Sequence, residues 1–259
     1  MESNTLEDAA ARSAAGPAAT RNLSPESLAL FERSWQSYHR VVEADLMEHA
    51  GLLGALASHL EAFVTCWGPA PLSLADLACG DLTTLEPLLR SLPLAAFTGV
   101  DAAATALSLA RTRMAGWTVT CHWVQDDLLR WAEQRGERHA VISCLFGLHH
   151  LADGDKQRFL EQVEGRLAEG GLLLIGDVFR EPGEERPAYL ERYVRRIRTQ
   201  WTGLETALQD HVIDHLTSSD FPAARDAFTA MAQAAGWRIA WIWAGRHCAE
   251  RLAVLQRAV

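Results

Sequence analysis

The sequence predicts an α/β protein with a mostly parallel sheet, and three observations support this fold class. Short apolar runs alternate with amphipathic stretches between about residues 72 and 180, a pattern typical of strand–helix crossover units. These runs are continuously apolar, as in "GLLLIGDVF", which indicates strands buried on both faces. Finally, "RIAWIWA" and "ERLAVLQ" are separated only by a short turn-like segment, so the two closing strands must be antiparallel. Helices are predicted near residues 83–92, 103–115, 127–135 and 155–169.

Composition restricts the class of protein further. The chain has 259 residues, 49% apolar and 22% charged, which suits one globular domain with additions. A net charge of −9 argues against a nucleic-acid partner or an anionic membrane surface. Five cysteines without C-x-x-C spacing indicate neither a disulfide framework nor a zinc knuckle. We find no export signal and no uninterrupted apolar run of about 18 residues, and therefore expect a soluble, cytoplasmic protein.

Three segments lie outside the strand–helix pattern. Residues 1–22 lack periodicity, and we expect a disordered tail. Residues 23–70 predict an N-terminal helical cap, whose first helix begins near Ser24. In the main domain, residues 71–259, the charged segment 181–220 predicts a helical insertion after the fifth strand. The second cap helix, "VVEADLMEHAGLLGALASHLEAFV", has an apolar stripe at helical spacing formed by Leu46, Leu53, Leu56, Leu60 and Phe63.

The stretch "SLADLACGDLTTLEPLL" predicts a strand, a small-residue turn and a helix. A dinucleotide-binding turn has the pattern G-x-G-x-x-G, in which the third glycine permits close helix–strand packing. This turn retains Gly80 but lacks the third glycine. The carboxylates of Asp76 and Asp81 would repel a diphosphate, whereas either could face an ammonium group. A smaller, zwitterionic nucleoside therefore fits the turn better.

Acidic residues also follow the next two strands. Asp101 ends the second strand, about 20 residues beyond the turn, where a carboxylate can accept hydrogen bonds from ribose hydroxyls. The alternative for such an aspartate is to cap the following helix. The third strand ends in "QDDLL", where Asp126 or Asp127 could accept from an adenine amino group while Leu128 packs on the ring.

Five motifs in order resemble those of class I S-adenosylmethionine-dependent methyltransferases: "LADLACGDL", "GVDAA", "QDDLL", "CLFGLHHL" and "LAEGGLLLIGDVF". The resemblance covers about residues 72–180, and residues 221–259 agree with the family's ending. It implies a Rossmann-like, seven-stranded, mostly parallel sheet flanked by helices, with the last strand antiparallel. It also implies S-adenosylmethionine as cofactor and S-adenosylhomocysteine as product. The "HHL" sequence is similar to that of a small-molecule branch of the family.

The resemblance also implies which residues contact the cofactor. Asp101 would hold the ribose, and the turn would surround the methionine part through Asp76, Ala78, Cys79, Gly80 and Asp81. The remaining implied contacts are Tyr38 from the cap, Ala102, Asp126, Asp127, Leu128, and the backbone of Cys144 and Leu145. Two positions where the family usually has glycine carry Ala78 and Leu82. We expect Leu82 to require an ordinary backbone conformation.

Histidines are the candidates for proton transfer and acceptor binding. The catalytic candidates are His49, His150 and His215, and the substrate-binding candidates are His149, His211 and Arg195. Methyl transfer depends mainly on alignment, and a general base helps only when the acceptor must lose a proton. The alternatives are that one of the paired histidines fixes its loop while the other packs, and that the arginines line a solvated helix face. His211 and His215 have no third ligand at recognisable spacing, so we expect no metal.

We therefore expect S-adenosylmethionine-dependent methyl transfer to a small-molecule acceptor at oxygen, nitrogen or carbon, with no nucleic-acid or membrane partner. Two alternatives remain open. One is a nicotinamide-dependent oxidoreductase, and the other is a non-catalytic module that binds S-adenosylmethionine.

Overall fold

The computed structural model describes residues 38–258, which form one seven-stranded sheet in the order β3-β2-β1-β4-β5-β7-β6. The strands are β1 (Leu72–Leu77), β2 (Leu94–Asp101), β3 (Thr120–Gln125), β4 (His139–Leu145), β5 (Leu167–Val178), β6 (Trp237–Ala244) and β7 (Glu250–Arg257). Strands β1 to β5 pair in parallel, and β7 runs antiparallel to both β5 and β6. The predicted fold class is confirmed, and the antiparallel strand is the last one.

Helices cover both faces of this sheet, which explains the continuously apolar strands. They are α1 (His49–Trp67), α2 (Glu86–Ser91), α3 (Ala104–Arg113), α4 (Leu128–Glu133), α5 (Asp153–Gln162), α6 (Arg186–Gln200), α7 (Thr206–Ser219) and α8 (Arg225–Ala234). Buried side chains of α1, α2 and α3 form one core cluster with one set of strand residues. Those of α4, α5 and α8 form a second cluster with another set of strand residues. Successive strand residues therefore supply two separate cores.

The N-terminal cap differs from the prediction. Residues 38–43 are helical, but the backbone then leaves the helix and reaches left-handed conformations at Asp45 and Glu48. The Asp45 carboxylate accepts the N–H of Ala50 at 2.9 Å, so α1 begins only at His49. The predicted continuous helix was therefore wrong, and the buried stripe of α1 is Leu52, Leu56 and Leu60. The predicted tail 1–22 and the helix beginning near Ser24 lie outside the described residues.

Helix α1 is also unusually apolar for its length, which was not predicted from the sequence. With 19 residues, it is the helix within residues 38–258 that is long and apolar enough to cross a membrane. Its three buried leucines instead pack in the core cluster beneath the sheet. A helix that covers a core satisfies the same length and composition, so this property alone is weak evidence for a membrane span.

The predicted insertion after β5 consists of α6 and α7. Their buried side chains form a third core cluster, which includes Tyr189, Tyr193, Ile197 and Leu216. The helix predicted near residues 155–169 is shorter than expected. Helix α5 ends at Gln162, a 3₁₀ turn follows, and β5 begins at Leu167. The insertion lies between the end of β5 and α8.

Candidate functional site

The loop after β1 has an unusual backbone. Ala78, Gly80 and Leu82 all adopt left-handed conformations, with φ of 55°, 56° and 62°. The ordinary conformation expected for Leu82 was therefore wrong. Its side chain is buried, and its N–H donates to Cys79 O at 3.2 Å. The loop keeps a glycine-like path without the glycines because burial and backbone hydrogen bonds hold Leu82 in a conformation that L-residues rarely adopt.

The loops after β1 and β4 lie against one another. A Cβ added to Gly147, just beyond β4, would lie 2.6 Å from the Ala78 Cβ and 3.2 Å from the Cys144 sulfur. Glycine at 147 is therefore required by this close approach. The carboxyl ends of β1 and β4 meet here, and ligands of such sheets bind at this edge.

Asp101, at the end of β2, faces the same loop. One carboxylate oxygen accepts the N–H of Gly80 at 2.9 Å, and the other accepts the N–H of Ala103 at 2.8 Å. The Asp101 side chain therefore lies next to the turn, as predicted, and it also accepts a hydrogen bond at the start of α3. Each carboxylate oxygen has two acceptor sites, so these bonds leave capacity for further donors.

Asp76 lies within β1 and is almost fully buried, with 3% of its surface exposed. Ser143 of β4 donates to its carboxylate at 2.6 Å, and no ion pair to Asp76 occurs within residues 38–258. Burial, reinforced by the charge of Asp101, raises the pKa of Asp76 to about 7 even though the Ser143 hydrogen bond opposes this. A buried carboxyl without a cation partner suits a cationic ligand.

The Asp81 carboxylate is already occupied. It accepts hydrogen bonds from Thr83 N and Oγ1, and Arg113 Nη2 lies 3.1 Å away. His39 Nε2 lies 3.4 Å from the same group, so the segment before α1 covers this loop. Desolvation, followed by the charge of Asp81, raises the pKa of Tyr38 to about 12. Of the two carboxylates that the sequence left open for an ammonium group, the structure favours Asp76.

The acidic pair after β3 has structural partners. Asp127 caps α4 by accepting the N–H groups of Leu129 and Arg130 at 2.9 and 3.2 Å. Asp126 accepts Gln134 Nε2 and pairs with the Arg130 guanidinium at 2.9 Å. Leu128 is buried in the core. Ala102 lies between Asp101 and α3, and its carbonyl accepts Gln125 Nε2 at 3.3 Å.

His149 is a buried residue that fixes its loop. Its Nδ1 lies 2.5 Å from one Asp177 carboxylate oxygen, and the other oxygen accepts the N–H groups of Leu148 and His149. Although burial alone would lower it, the charge and hydrogen bond of Asp177 raise the pKa of His149. His149 therefore corresponds to the alternative in which one histidine holds the loop, and it does not present an open face to a substrate.

His150 and His215 converge on Asp220. Asp220 Oδ1 lies 3.5 Å from His150 Nδ1 and 3.5 Å from His215 Nε2. It also lies 3.6 Å from His149 Nε2. Burial lowers the pKa of His150 to about 4, so this ring is neutral near pH 7. Two predicted catalytic candidates are thus brought together at the carboxyl edge of the sheet.

His49, the third catalytic candidate, is buried against Phe146, with ring centroids 4.7 Å apart. Both of its ring nitrogens lack a hydrogen-bond partner within the described part of the chain. Burial lowers the pKa of His49 to about 4. Phe146 follows the predicted backbone contacts Cys144 and Leu145, and it adopts a left-handed conformation with φ of 52°.

The remaining substrate candidates do not join this cluster. Arg195 is 69% exposed and pairs with Glu191 on its own helix. The arginine that points inward is its neighbour Arg196, which is 7% exposed and pairs with Glu250 at 2.6 Å. The exposed pair of Arg195 with Glu191 fits the alternative of a solvated helix face, and substrate binding by Arg195 stays a prediction. His211 is half-buried on α7, one turn before His215.

Sequence reasoning missed two residues of this site. Asp177 interrupts the apolar run of β5, and a carboxylate in a strand buried on both faces was a signal of a fixed polar partner. Ser143 gave no comparable signal, because a single serine in a strand is common. Asp220 was associated with His215 by sequence proximity, but its contact with the "HH" pair depends on the fold.

Comparisons with known proteins agree with the geometry. A family model described as "Methyltransferase domain" matches residues 74–171. A trans-aconitate 2-methyltransferase of Paracidovorax citrulli is 33% identical over 109 residues, 40% of either chain. The match therefore spans well under half of that relative's length.

Solved structures share the fold across most of the chain. The plantazolicin methyltransferase BpumL, in complex with a triazolic desmethylPZN analog and SAH, matches with a TM-score of 0.61 at 13% identity. The alignment covers 91% of this chain and 92% of that one. Magnesium protoporphyrin IX methyltransferase from Synechocystis, with bound SAM, gives 0.56 at 15% identity, with coverage of 88% and 91%.

The sheet order and these matches agree on one fold. The segment that matches the family model described as "Methyltransferase domain" is residues 74–171. It lies within a sheet that has the fold of the class I S-adenosylmethionine-dependent methyltransferases.

Proposed function

We propose that this protein transfers a methyl group from S-adenosylmethionine to a small-molecule acceptor. The observation that carries the proposal is the acidic edge of β1 and β2, where Asp76 and Asp101 flank the left-handed loop Ala78–Leu82. This edge lies inside the segment that matches a methyltransferase domain. Two carboxylates suit a cationic nucleoside better than a diphosphate, which disfavours the nicotinamide alternative.

The residues present fit the cofactor. Asp76 is positioned to compensate the ammonium charge, and Asp101 has acceptor capacity for the ribose hydroxyls. When bound, S-adenosylmethionine supplies a methyl group on a positively charged sulfur. The protein's main contribution is to orient the two reactants, which can supply about 7–11 kcal/mol in well-aligned systems.

The acceptor side is formed by His49 and Phe146. Because its pKa is lowered, His49 is neutral near pH 7, and its one unprotonated ring nitrogen can accept a proton or hydrogen bond from the methyl acceptor. A small acceptor agrees with the compounds named for the similar proteins, such as the desmethylPZN analog and magnesium protoporphyrin IX. The trans-aconitate enzymes match over too short a stretch to indicate the acceptor here.

Calorimetry with S-adenosylhomocysteine and with NAD tests the cofactor directly. We expect binding of S-adenosylhomocysteine and no binding of NAD. Asp101→Asn should weaken S-adenosylhomocysteine about 10- to 100-fold, because it removes the charge from hydrogen bonds to the ribose. The matched control is Asp226→Asn on the exposed side of α8, which should leave the affinity unchanged. Tight binding of NAD alone would overturn the proposal.

Turnover separates an enzyme from a non-catalytic binding module. The protein is incubated with methyl-labelled S-adenosylmethionine and a small-molecule extract, and labelled products are identified. We expect a labelled small molecule that requires the protein. Cofactor binding without any labelled product would favour the binding module.

A further inference from the structure

We propose that His149, His150 and Asp220 bind a divalent transition-metal ion. These three residues each offer a ligand atom, and all three atoms lie within 4.8 Å of one another. Two imidazoles and one carboxylate form a donor set that suits zinc, iron and related ions. Neither the family comparison nor the sequence spacing assigned a metal to this position.

Two of the three separations match those of ligands around a shared ion, and the third lies within 4.8 Å. Asp220 Oδ1 lies 3.6 Å from His149 Nε2 and 3.5 Å from His150 Nδ1. Metal–ligand bonds of about 2.0–2.1 Å in a tetrahedral site place ligand atoms about 3.4 Å apart. A proton shared with one ring would instead bring one nitrogen to about 2.8 Å. The nearly equal distances leave room for a cation between the carboxylate oxygen and the two nitrogens.

Asp220 provides an independent observation. Its side chain is 9% exposed, and its Oδ1 is buried without a hydrogen-bond partner among the described residues. A buried carboxylate oxygen of this kind is costly unless a cation or donor compensates it. The orphaned oxygen lies near His149 Nε2 and His150 Nδ1, and His215 Nε2 is also 3.5 Å away. His150 Nδ1 is in addition 3.4 Å from the Ser219 carbonyl, so the group that a metal ion would compensate is the carboxylate oxygen.

The surroundings hold the ligands in place. Asp177 fixes His149 through Nδ1 at 2.5 Å, which leaves Nε2 directed at Asp220, as in carboxylate–histidine–metal arrangements. The Phe221 N–H donates to the His149 carbonyl at 2.7 Å, and Lys156 Nζ donates to the Phe221 carbonyl at 2.6 Å. The backbone next to Asp220 is therefore tied to the loop that carries both histidines.

The His150 side chain is 43% exposed, so solvent can reach the cluster and a water or substrate could complete the coordination of the ion. Three protein ligands with an open position are characteristic of metal sites that bind a substrate or water. An acceptor oxygen could take that position, and this role rests on the proposed methyl transfer. Binding of the ion itself does not.

The test uses the untagged full chain after removal of metals with a chelator and without any cofactor. Calorimetry with Zn²⁺ should show one ion per chain, and Co²⁺ should give a visible absorption band of a bound ion. Asp220→Asn and His150→Gln should each lower the Zn²⁺ affinity about tenfold or more. His122→Gln, which removes an exposed histidine on β3, is the matched control and should leave the affinity unchanged.

Two results would overturn the proposal. One is the absence of stoichiometric Zn²⁺ and Co²⁺ binding, and the other is equal affinity in the wild type and both site variants. Because His150 is half-exposed, His150→Gln should fold normally, and it still tests the proposal if Asp220→Asn does not fold. S-adenosylhomocysteine affinity, measured on the metal-free protein, reports separately on the proposed function.

Discussion

At the scale of single residues, Asp76 links the chemistry of the site to the stability of the protein. It is buried in β1 and receives a hydrogen bond from Ser143. With its pKa raised to about 7, the ionised form is costly to keep in the folded chain without a cation. A carboxyl group that is unfavourable in the free protein and useful with a cationic ligand is typical of a binding site.

Asp76→Asn should therefore stabilise the free protein. The raised pKa means that ionisation destabilises the folded state as the pH rises from the ordinary value of 3.8 to about 7. The gain in free energy of unfolding should be on the order of 2–4 kcal/mol above neutral pH and vanish below about pH 4. Urea unfolding at several pH values measures it. A gain that is equal at all pH values would contradict this explanation.

The same residue predicts how cofactor affinity depends on pH. A cationic ligand favours ionised Asp76, so below about pH 7 binding must release a proton. The affinity for S-adenosylhomocysteine should fall as the pH decreases through this range, and proton uptake or release is measured by calorimetry in two buffers. In Asp76→Asn the affinity should be lower and lose this pH dependence. If the pH dependence of the affinity were unchanged in Asp76→Asn, a group other than Asp76 would be responsible for it.

At the scale of elements, the loop after β1 is a left-handed turn made without the usual glycines. Ala78 and Leu82 both have positive φ, and each costs about 1–2 kcal/mol relative to an ordinary conformation. The loop after β4 supports this turn by approaching it at Gly147. Two loops from neighbouring strands thus determine one another's conformation.

Ala78→Gly should raise the free energy of unfolding by about 1 kcal/mol, because glycine adopts positive φ without strain. The matched control is Ala230→Gly in α8, where φ is helical and the same substitution should cost about 1 kcal/mol. Urea unfolding of the two variants measures these changes in the free energy of unfolding, which should have opposite signs. Destabilisation by both would contradict the assigned conformation of Ala78.

The close approach of the two loops has its own test. Gly147→Ala places a Cβ 2.6 Å from the Ala78 Cβ and should cost about 1–3 kcal/mol. In the double variant Ala78→Gly, Gly147→Ala, this contact is removed, so much of the loss should be recovered. Independent, additive effects in this double-mutant cycle would show that the loops do not touch.

At the scale of the whole molecule, one buried ion pair connects three distant parts of the chain. Arg196 of the insertion pairs with Glu250 of β7 at 2.6 Å, and it also donates to the Leu46 carbonyl at 2.5 Å. Tyr193 donates to the same glutamate at 3.0 Å. The insertion, the last strand and the segment before α1 are therefore held by a single buried network.

Arg196→Met should cost about 3–5 kcal/mol, because it leaves Glu250 buried without its partner. The neighbouring Arg195→Met removes an exposed arginine and should change stability by less than about 0.5 kcal/mol. Adding Glu250→Leu to Arg196→Met should recover part of the loss by removing the unpaired charge. Chemical unfolding measures all variants, and equal effects at positions 195 and 196 would refute this network.

The sequence by itself determined the sheet and the edge of the candidate site. Apolar strands that alternate with helices leave few arrangements, and the tight final turn requires antiparallel strands. Asp76 and Asp101 could also be predicted to lie in one site, because strand ends in a parallel sheet meet at one edge. These features depend on the hydrophobic pattern of each segment and on the connection rules that all α/β folds follow.

Only the tertiary structure decided the backbone of Leu82, the start of helix α1 and the grouping around Asp220. Leu82 is left-handed because its buried surroundings outweigh local preference. The chain leaves the helix before α1 where Arg196 of the insertion donates to the Leu46 carbonyl. His149 and Asp220 come from segments separated by β5 and the whole insertion. Their approach is a consequence of packing, and no spacing along the chain encodes it.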